Sequence, residues 1–382
     1  MFILVFIATI LILVLVHEFG HFWMAKRFNI KVLEFGFGLP PRIWGKKVGE
    51  TLFSVNALPI GGFVRPLGED EEVDLDKLPK GKREEWTKRS FQSQRVSKKI
   101  VVVAAGVVMN LLLAFALYYI TLSVQGLKVQ VPLLVRHQFV GVVQRDEQMV
   151  VIGEVAKGSP AEQANLKAGE RIVKIDGEQV QSSGQLVLLT KERAGQEVSL
   201  TVSDPQGTQL RTVRLTPRKN PPPGQGAIGV SLGSFTVANL DYQSPWQKLL
   251  SGPIHSYNLA AYSFQILGQT IQTAFVRRDL APVSQSVAGP VGITSIVKDI
   301  LAIKNPLIPY LEFMAALSLN LAIVNVLPFP GLDGGRLLFL AIEGIFRRRV
   351  NQRVERYVHT VGLVLLLTLV LLITFSDIKK LF

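Results

Sequence analysis

The sequence predicts a polytopic α-helical membrane protein with about four transmembrane helices, a membrane-associated β-hairpin region and an inserted α+β domain. Of its 382 residues, 48% are hydrophobic, and the mean hydropathy is +0.31. Four apolar runs come close to the roughly 20 residues that a helix needs to cross a bilayer. Between them lie a segment rich in glycine and proline and a segment in which short strand and helix patterns alternate.

The four apolar runs are the predicted spans. The first ends at Lys26 and Arg27, and the second follows Lys98 and Lys99. The third contains polar residues and breaks at a proline, so it is the least regular of the four. The spans lie at about 2–28, 100–124, 307–328 and 357–375.

The placement of charge orients these spans. Residues 26–99 contain 16 Lys and Arg against 10 Asp and Glu, and residues 336–356 contain six Arg against two Glu. Four spans put both segments on one side of the membrane, and short basic segments beside spans favour the cytoplasm. The net charge of +13 therefore indicates contact with the lipid bilayer, and no nucleic-acid partner is predicted.

The chain divides into four consecutive parts. The first contains a β-region at about 32–66 and a cytoplasmic loop at 69–99. Within the third part, residues 244–280 suit either a helix on the membrane surface or a soluble helix packed on the outer domain. The parts are a first half of the membrane core (1–125), an extracytoplasmic α+β domain (126–220), a linker with surface amphipathic helices (221–300) and a second half of the core (301–382).

Local patterns justify the non-spanning elements. FGFGLPPRIWG and LFSVNALPIGGFV, within 32–66, indicate a β-hairpin. Ser159 and Pro160 are typical of a helix start, and Asn165 can adopt the left-handed conformation that ends a helix. The predicted strands of the α+β domain are MVVIGEV, RIVKIDG, EVSLTV and LRTVRLT.

The first span carries ionisable residues at membrane depth. His17 and His21 are four residues apart, so a helix places both imidazoles on one face. Together with Glu18 they form the H-E-x-x-H pattern of zinc sites, in which the glutamate acts as general base for a zinc-activated water. Ionisable groups within a span are costly and indicate function.

A catalytic zinc site needs a third protein ligand, and the chain has no cysteine to provide it. Asp333 is the prominent candidate because it follows a segment of prolines and glycines near the cytoplasmic end of the third span, a depth that suits the histidine pair. Glu312 is the alternative. His359, at the start of the fourth span, is expected to have a helix-end or interfacial role.

The motifs together resemble the site-two protease family of intramembrane zinc metalloproteases, in particular bacterial members similar to the regulator of sigma-E protease with a single PDZ domain. The resemblance covers nearly the whole chain in order. It rests on H-E-F-G-H in the first span, G-V-V-M-N at Gly106–Asn110, S-P-A-E-Q-A-N-L-K-A-G-E-R-I-V-K-I-D-G in the inserted domain and N-V-L-P-F-P-G-L-D-G from Asn325.

The resemblance implies Zn²⁺ bound by His17, His21 and Asp333, with Glu18 as the catalytic base. It implies substrate binding by Asn325 and Asn320, although a helix–helix hydrogen bond suits Asn320 equally well. Asn110 either contacts the metal-site region or packs a close helix crossing at Gly106, and packing is the favoured expectation.

The implied substrates are transmembrane proteins already trimmed by another protease, such as anti-sigma factors. The implied location is the bacterial inner (cytoplasmic) membrane, with the PDZ domain outside and the active site toward the cytoplasm. The PDZ groove at strand 151–155 is a candidate site for peptide C-termini.

Two other function classes remain open. A non-catalytic scaffold that binds protein C-termini through its PDZ domain would not need the four zinc-site residues together. A transporter would suit the broken third span, but it would not explain H-E-x-x-H, and the chain shows no evident inverted repeat.

Overall fold

The computed structural model describes residues 2–69, 79–204, 209–279, 288–348 and 350–381, so residues 70–78 of the predicted cytoplasmic loop lie outside the described residues. The described helices are α1 (Phe2–Arg27), α2 (Lys80–Arg89), α3 (Val96–Val124), α4 (Pro160–Gln163), α5 (Ser183–Glu192), α6 (Pro245–Leu249), α7 (Ser251–Arg277), α8 (Pro290–Ala302), α9 (Leu307–Val326), α10 (Asp333–Phe346) and α11 (Gln352–Leu381). The described strands are β1 (Val32–Val48), β2 (Thr51–Pro66), β3 (Lys128–Leu133), β4 (Val143–Val155), β5 (Arg171–Ile175), β6 (Glu178–Gln179), β7 (Val198–Ser203), β8 (Leu210–Leu215) and β9 (Val230–Asp241).

The chain forms two compact units. The first comprises Met1–Val124 and Leu250–Phe382, and the second comprises Gln125–Leu249. Within the described residues, four helices of the first unit are long and apolar enough to cross a membrane: α1, α3, α9 and most of α11. This confirms the prediction of about four apolar spans, in number and in position along the chain.

The helices α1 and α3 cross closely because small residues face each other. A Cβ atom on Gly20 would lie 2.3 Å from the carbonyl oxygen of Ala105, so only glycine allows this approach. A buried ion pair ties α3 to α10, since Lys99 Nζ lies 2.8 Å and 3.0 Å from the two carboxylate oxygens of Glu343. The ion pair therefore holds the last turn of α10 against α3.

The strands β1 and β2 pair as one long antiparallel hairpin directly after α1, as the sequence predicts for residues 32–66. Aromatic contacts attach the hairpin to α1: the Phe22 ring lies 5.4 Å from Phe35 and 5.8 Å from Phe53 between ring centroids. Gly62 of β2 comes close to the H-E-x-x-H helix, since a Cβ there would be 3.1 Å from Glu18 Cγ.

The helix α7 covers most of residues 244–280 and is not part of the outer domain. It belongs to the first unit and packs on α3 and α9. Gly252 meets the backbone of Phe115, and the His255 ring contacts Tyr118 with centroids 4.9 Å apart. An amphipathic pattern shows that one helix face is apolar, but it does not identify the surface that this face covers.

The second unit is a seven-stranded antiparallel sheet with the helices α4, α5 and α6. Its strand order is β3-β9-β4-β5-β7-β8, and β6 pairs with β5. The Ser159 hydroxyl caps α4 by accepting the Glu162 N–H at 3.2 Å, and Asn165 has φ +55° after that helix. Its apolar core includes Ile152, Ile175, Leu186 and Leu200.

The strand pairing corrects the predicted boundary of this unit. Residues 221–249 are not a linker, because β9 completes the sheet and the unit extends to Leu249. At the candidate peptide-binding strand 151–155, β4 pairs with β9 at Val151, Ile152 and Val155, and its pairs with β5 end at Val151.

Candidate metal centre

The histidine pair lies on one face of α1, as its spacing predicts. His17 and His21 are one helical turn apart, and their Nε2 atoms approach to 3.1 Å. The Gly106 backbone of α3 makes room for them, since a Cβ at that position would lie 2.4 Å from His21 Nε2 and 2.7 Å from His17 Cε1. The sequence motif around Gly106 therefore has a direct steric role at the site.

Asp333 reaches the same point from the other end of the chain. It begins α10 after the segment 327–332, in which Gly331 has φ +95°. Its Oδ2 lies 2.9 Å from His17 Nε2 and 3.3 Å from His21 Nε2. The structure therefore brings the three residues together, whereas Glu312 is not a member of the metal-binding group formed by the described residues.

The spacing of the three donor atoms fits a zinc ion. A tetrahedral zinc with ligands at about 2.05 Å separates its donor atoms by about 3.3 Å, and the observed separations are 2.9, 3.1 and 3.3 Å. Asp333 Oδ2 is buried without a hydrogen bond of normal geometry among the described residues. Two imidazoles and a carboxylate converging in this way form a donor set that zinc prefers.

Outer hydrogen-bond partners lie beside both imidazoles. His21 Nδ1 lies 2.9 Å from the Val102 carbonyl oxygen, so Nδ1 carries the proton and Nε2 keeps its lone pair for a metal. His17 Nδ1 lies 3.3 Å from Nδ2 of the buried Asn110 amide, whose Oδ1 has no hydrogen-bond partner among the described residues. Exchanging the amide N and O places Oδ1 beside His17, so that Nδ1 donates to it and His17 Nε2 is free to bind a metal.

Glu18 lies beside the metal-binding group, in a cavity of about 240 Å³. Asn325 also lines this cavity, as do Gly61 and Gly62 of β2, so a backbone edge, an amide and a carboxylate converge next to the three donor atoms. Asn320 is different: its side chain is exposed, and it is not among the residues that line the cavity.

The contact between Asn110 and His17 matches the less favoured of the two sequence-based expectations for Asn110. Gly106 and Asn110 are four residues apart, so one face of α3 carries both, and the placement of Gly106 under the histidines implies a neighbouring position for Asn110. This spacing was the available signal. Ser318 adds a second link, because its hydroxyl donates to the Asn110 carbonyl over 2.8 Å and so joins α9 to the same place.

Comparisons with known proteins identify a family and several relatives. Residues 5–369 match the family model of peptidase family M50. The zinc metalloprotease RasP of Bacillus licheniformis is 29% identical over 98% of this chain and 99% of its own length. The regulator of sigma-W protease RasP of Bacillus subtilis is 28% identical over all of both chains. A solved PDZ domain of an SdrC-like protein from Listeria monocytogenes covers 26% of this chain and 93% of its own, with 22% identity and a TM-score of 0.19.

Proposed function

The chain belongs to peptidase family M50 and is a zinc metalloprotease, and we propose that it hydrolyses peptide bonds within or near transmembrane segments of other membrane proteins. The observation that carries the proposal is the position of the metal-binding group. His17 and His21 lie on α1, whose remaining length is almost wholly apolar. A site for water-dependent chemistry at that position suits a substrate that also lies in the membrane.

We assign the zinc to His17, His21 and Asp333 and the role of general base to Glu18. A zinc ion held by these residues would supply Lewis-acid activation of a water molecule, lowering its pKa to about 7. Glu18 lines the same cavity as Asp333, so its carboxylate would accept the proton of the attacking water and return it to the leaving amine. The Gly106 crossing keeps both imidazoles packed, so the protein's own groups are positioned before substrate binds.

The substrate must present an extended backbone, because a helix conceals its peptide bonds in its own hydrogen-bond ladder. The glycine pair Gly61 and Gly62 of β2 lies at the cavity, where an unwound substrate segment can approach backbone to backbone. Asn325 donates from its amide to the substrate carbonyl. Asn325→Leu is therefore expected to reduce kcat while zinc content stays unchanged.

The relative from B. subtilis is named as a regulator of sigma-W. By analogy, we assign to this chain membrane-protein substrates of the anti-sigma-factor class, shortened beforehand by another protease. The basic segments 26–99 and 336–356 support a multi-pass location in a bacterial cytoplasmic membrane, with both segments and the metal-binding group toward the cytoplasm. Residues 125–249 are then extracytoplasmic.

The scaffold alternative leaves the metal-binding group unexplained. A scaffold that binds peptide C-termini would not need His17, His21 and Asp333 to converge beside Glu18, whereas a zinc protease does.

Cleavage of a reporter single-span substrate by purified Glu18→Gln protein tests the proposal. Loss of a general base lowers the rate by about 100-fold or more, while zinc content measured by atomic absorption should equal that of the wild type. Glu312→Gln is the matched control and should retain both zinc and activity. Full cleavage by Glu18→Gln would contradict the assigned role of Glu18, and zinc loss in Glu312→Gln would reopen the ligand assignment.

A further inference from the structure

The segment 327–332 delivers Asp333 to the histidine pair, so its conformation determines where the third carboxylate lies. Gly331 has φ +95°, which is strained for any residue with a side chain. Gly331 also lines two cavities: the 240 Å³ cavity that contains Glu18 and Asp333, and another of about 520 Å³ that includes His359. The segment therefore separates the two cavities. Packing contacts on its side away from the metal-binding group are needed to hold its conformation.

A hydrogen bond from α11 provides part of that support. The Gly331 N–H donates to His359 Nδ1 over 2.9 Å. His359 Nδ1 must therefore carry the lone pair that accepts this bond. The hydrogen bond fixes the orientation of the imidazole ring. Gly331 precedes Asp333 by two residues, so the bond fixes the backbone just ahead of the carboxylate. The sequence-based expectation of a helix-end or interfacial role for His359 misses this contact.

The helix and the segment also meet backbone to backbone. A Cβ at Gly362 would lie 2.1 Å from the Pro330 carbonyl oxygen, and a Cβ at Gly331 would lie 2.9 Å from the Leu363 nitrogen. Backbone atoms cannot swing aside as the end of a flexible side chain can, so only glycine at both positions permits this approach. The hydrogen bond of His359 is one part of a close fit between α11 and the segment.

The His359 ring touches the chain on the other side of Asp333 as well. Its centroid lies 5.5 Å from that of Phe339, which belongs to α10. His359 therefore contacts the backbone that enters Asp333 and the helix that leaves it. A displacement of His359 would disturb the chain both before and after Asp333.

From these contacts we propose that His359 is a positioning residue of the metal centre, which holds Asp333 in place through the Gly331 amide. The inference rests on the proposed role of Asp333 as a zinc ligand. The fourth span, α11, provides no metal ligand itself, yet it contributes in this way to how firmly the metal is held. Partners beyond the ligands typically change metal affinity 10- to 100-fold, and the lower end, about tenfold, is expected for a residue that acts through backbone.

Zinc release from the purified full-length protein to a competing chelator tests the proposal. His359→Leu removes the acceptor and should release zinc about tenfold faster. His359→Asn restores an acceptor near the Nδ1 position and should stay within about threefold of the wild type. Leu365→Ala, at a residue 57% exposed on the same helix, is the control and should release zinc at the wild-type rate.

Two further measurements report on the site independently of catalysis. In Co²⁺-substituted protein, the visible absorption bands should shift in His359→Leu and match the wild type in His359→Asn. In metal-free protein, deuterium exchange of the Gly331 amide should accelerate in His359→Leu, because its acceptor is gone. Gly362→Ala should also speed zinc release, whereas Gly268→Ala, with nothing within 4 Å of the added Cβ, should not.

Unchanged zinc release and unchanged cobalt bands in His359→Leu would overturn the proposal. Equal losses of zinc from His359→Leu and His359→Asn would also overturn it. They would indicate that the size of the side chain matters and the hydrogen-bond acceptor does not. If His359→Leu does not fold, wild-type zinc release in Gly362→Ala overturns it. Asp333→Asn separates this inference from the proposed function: zinc retained in that variant contradicts the ligand assignment, whereas zinc lost there with none lost in His359→Leu refutes only the positioning role.

Discussion

His17 and His21 lie one turn apart on a continuous helix, whereas Asp333 follows the irregular segment 327–332 between two helices. The spacing of the histidines follows from helix geometry, because residues i and i+4 share a face in any helix. The position of Asp333 depends on contacts that are distant in sequence: the Lys99–Glu343 ion pair, the approach of Gly362 and the His359 hydrogen bond. One half of the site is specified locally, and the other half is specified by packing.

This difference has a consequence for sensitivity to mutation. Substitutions near the histidine pair should act through the imidazoles themselves. Substitutions near Asp333 should act through backbone conformation, and they should affect folding and metal binding together. The following experiments test whether the two halves respond in these different ways.

The largest effect is expected at the Asp333 half, for Gly334→Ala. A Cβ at Gly334 would lie 2.0 Å from the Leu327 carbonyl oxygen, so backbone would clash with backbone. We expect a loss of about 3 kcal/mol or more in the free energy of unfolding, comparable to a severe packing defect, and no bound zinc. Thermal unfolding in detergent and metal analysis measure both.

Gly344→Ala is the matched control on the same helix. Its added Cβ would meet only Val96 Cγ1 at 3.5 Å, an ordinary contact, so stability and zinc content should stay near those of the wild type. If both glycine variants behave alike, helix propensity and not the clash governs the result.

The next effect is expected at the histidine half, for Gly106→Ala. Its Cβ would lie 2.4 Å from His21 Nε2, and side-chain rings can rotate away where backbone cannot. We therefore expect zinc affinity to fall about 100-fold while the unfolding temperature changes little. A large loss of stability with zinc affinity preserved would contradict the distinction between the two halves.

A smaller effect is expected for Asn110→Leu, which removes the hydrogen bond to His17 Nδ1 while nearly preserving side-chain volume. Zinc affinity should fall about tenfold, because His17 loses the partner that fixes its tautomer and orientation. Asn320→Leu is the matched control and should leave zinc affinity unchanged, since that side chain is exposed. Competition with a chromogenic chelator measures both, and equal affinities in the two variants would remove Asn110 from the site.

Much of this architecture could be predicted from the sequence, because the physical signals are local. The length of the apolar runs predicts the four spans, and alternating apolar residues with glycine predict the β1–β2 hairpin. The i, i+4 spacing predicts that His17 and His21 share one helix face. Asp333 was identified through its motif and the need for a third ligand.

Other features depend on which surfaces meet, and a single sequence does not encode that in a periodic pattern. The pairing of β9 with β4 joins strands separated by residues 156–229, so the sequence pattern does not show that β9 completes the α+β domain. The contacts of Asn110 and His359 likewise link residues 93 and 28 positions apart. The placement of α7 on α3 and α9 also required the three-dimensional packing.

The smallest effect is expected outside both halves, at Glu50 in the turn of the hairpin. Its carboxylate accepts two hydrogen bonds from Arg89, each 2.7 Å long, and pairs with Lys26. The Arg89 guanidinium lowers the pKa of Glu50 from 4.5 to about 2. A carboxyl group with a lowered folded-state pKa stabilises the fold fully above pH 4.5, and this contribution is lost as pH falls toward 2.

Glu50→Gln removes this pH dependence. The three side chains are 26–32% exposed, so solvent screening limits the contribution to about 1 kcal/mol. Between pH 6 and pH 3, metal-free wild type should therefore lose about 0.6 kcal/mol more stability than the variant, as measured by chemical denaturation in detergent. Zinc affinity at pH 7 should be equal in the two proteins, because Glu50 stabilises the hairpin and touches neither half of the metal centre. A change in zinc affinity would mean that the hairpin and the site are coupled, and that packing determines the histidine half as well.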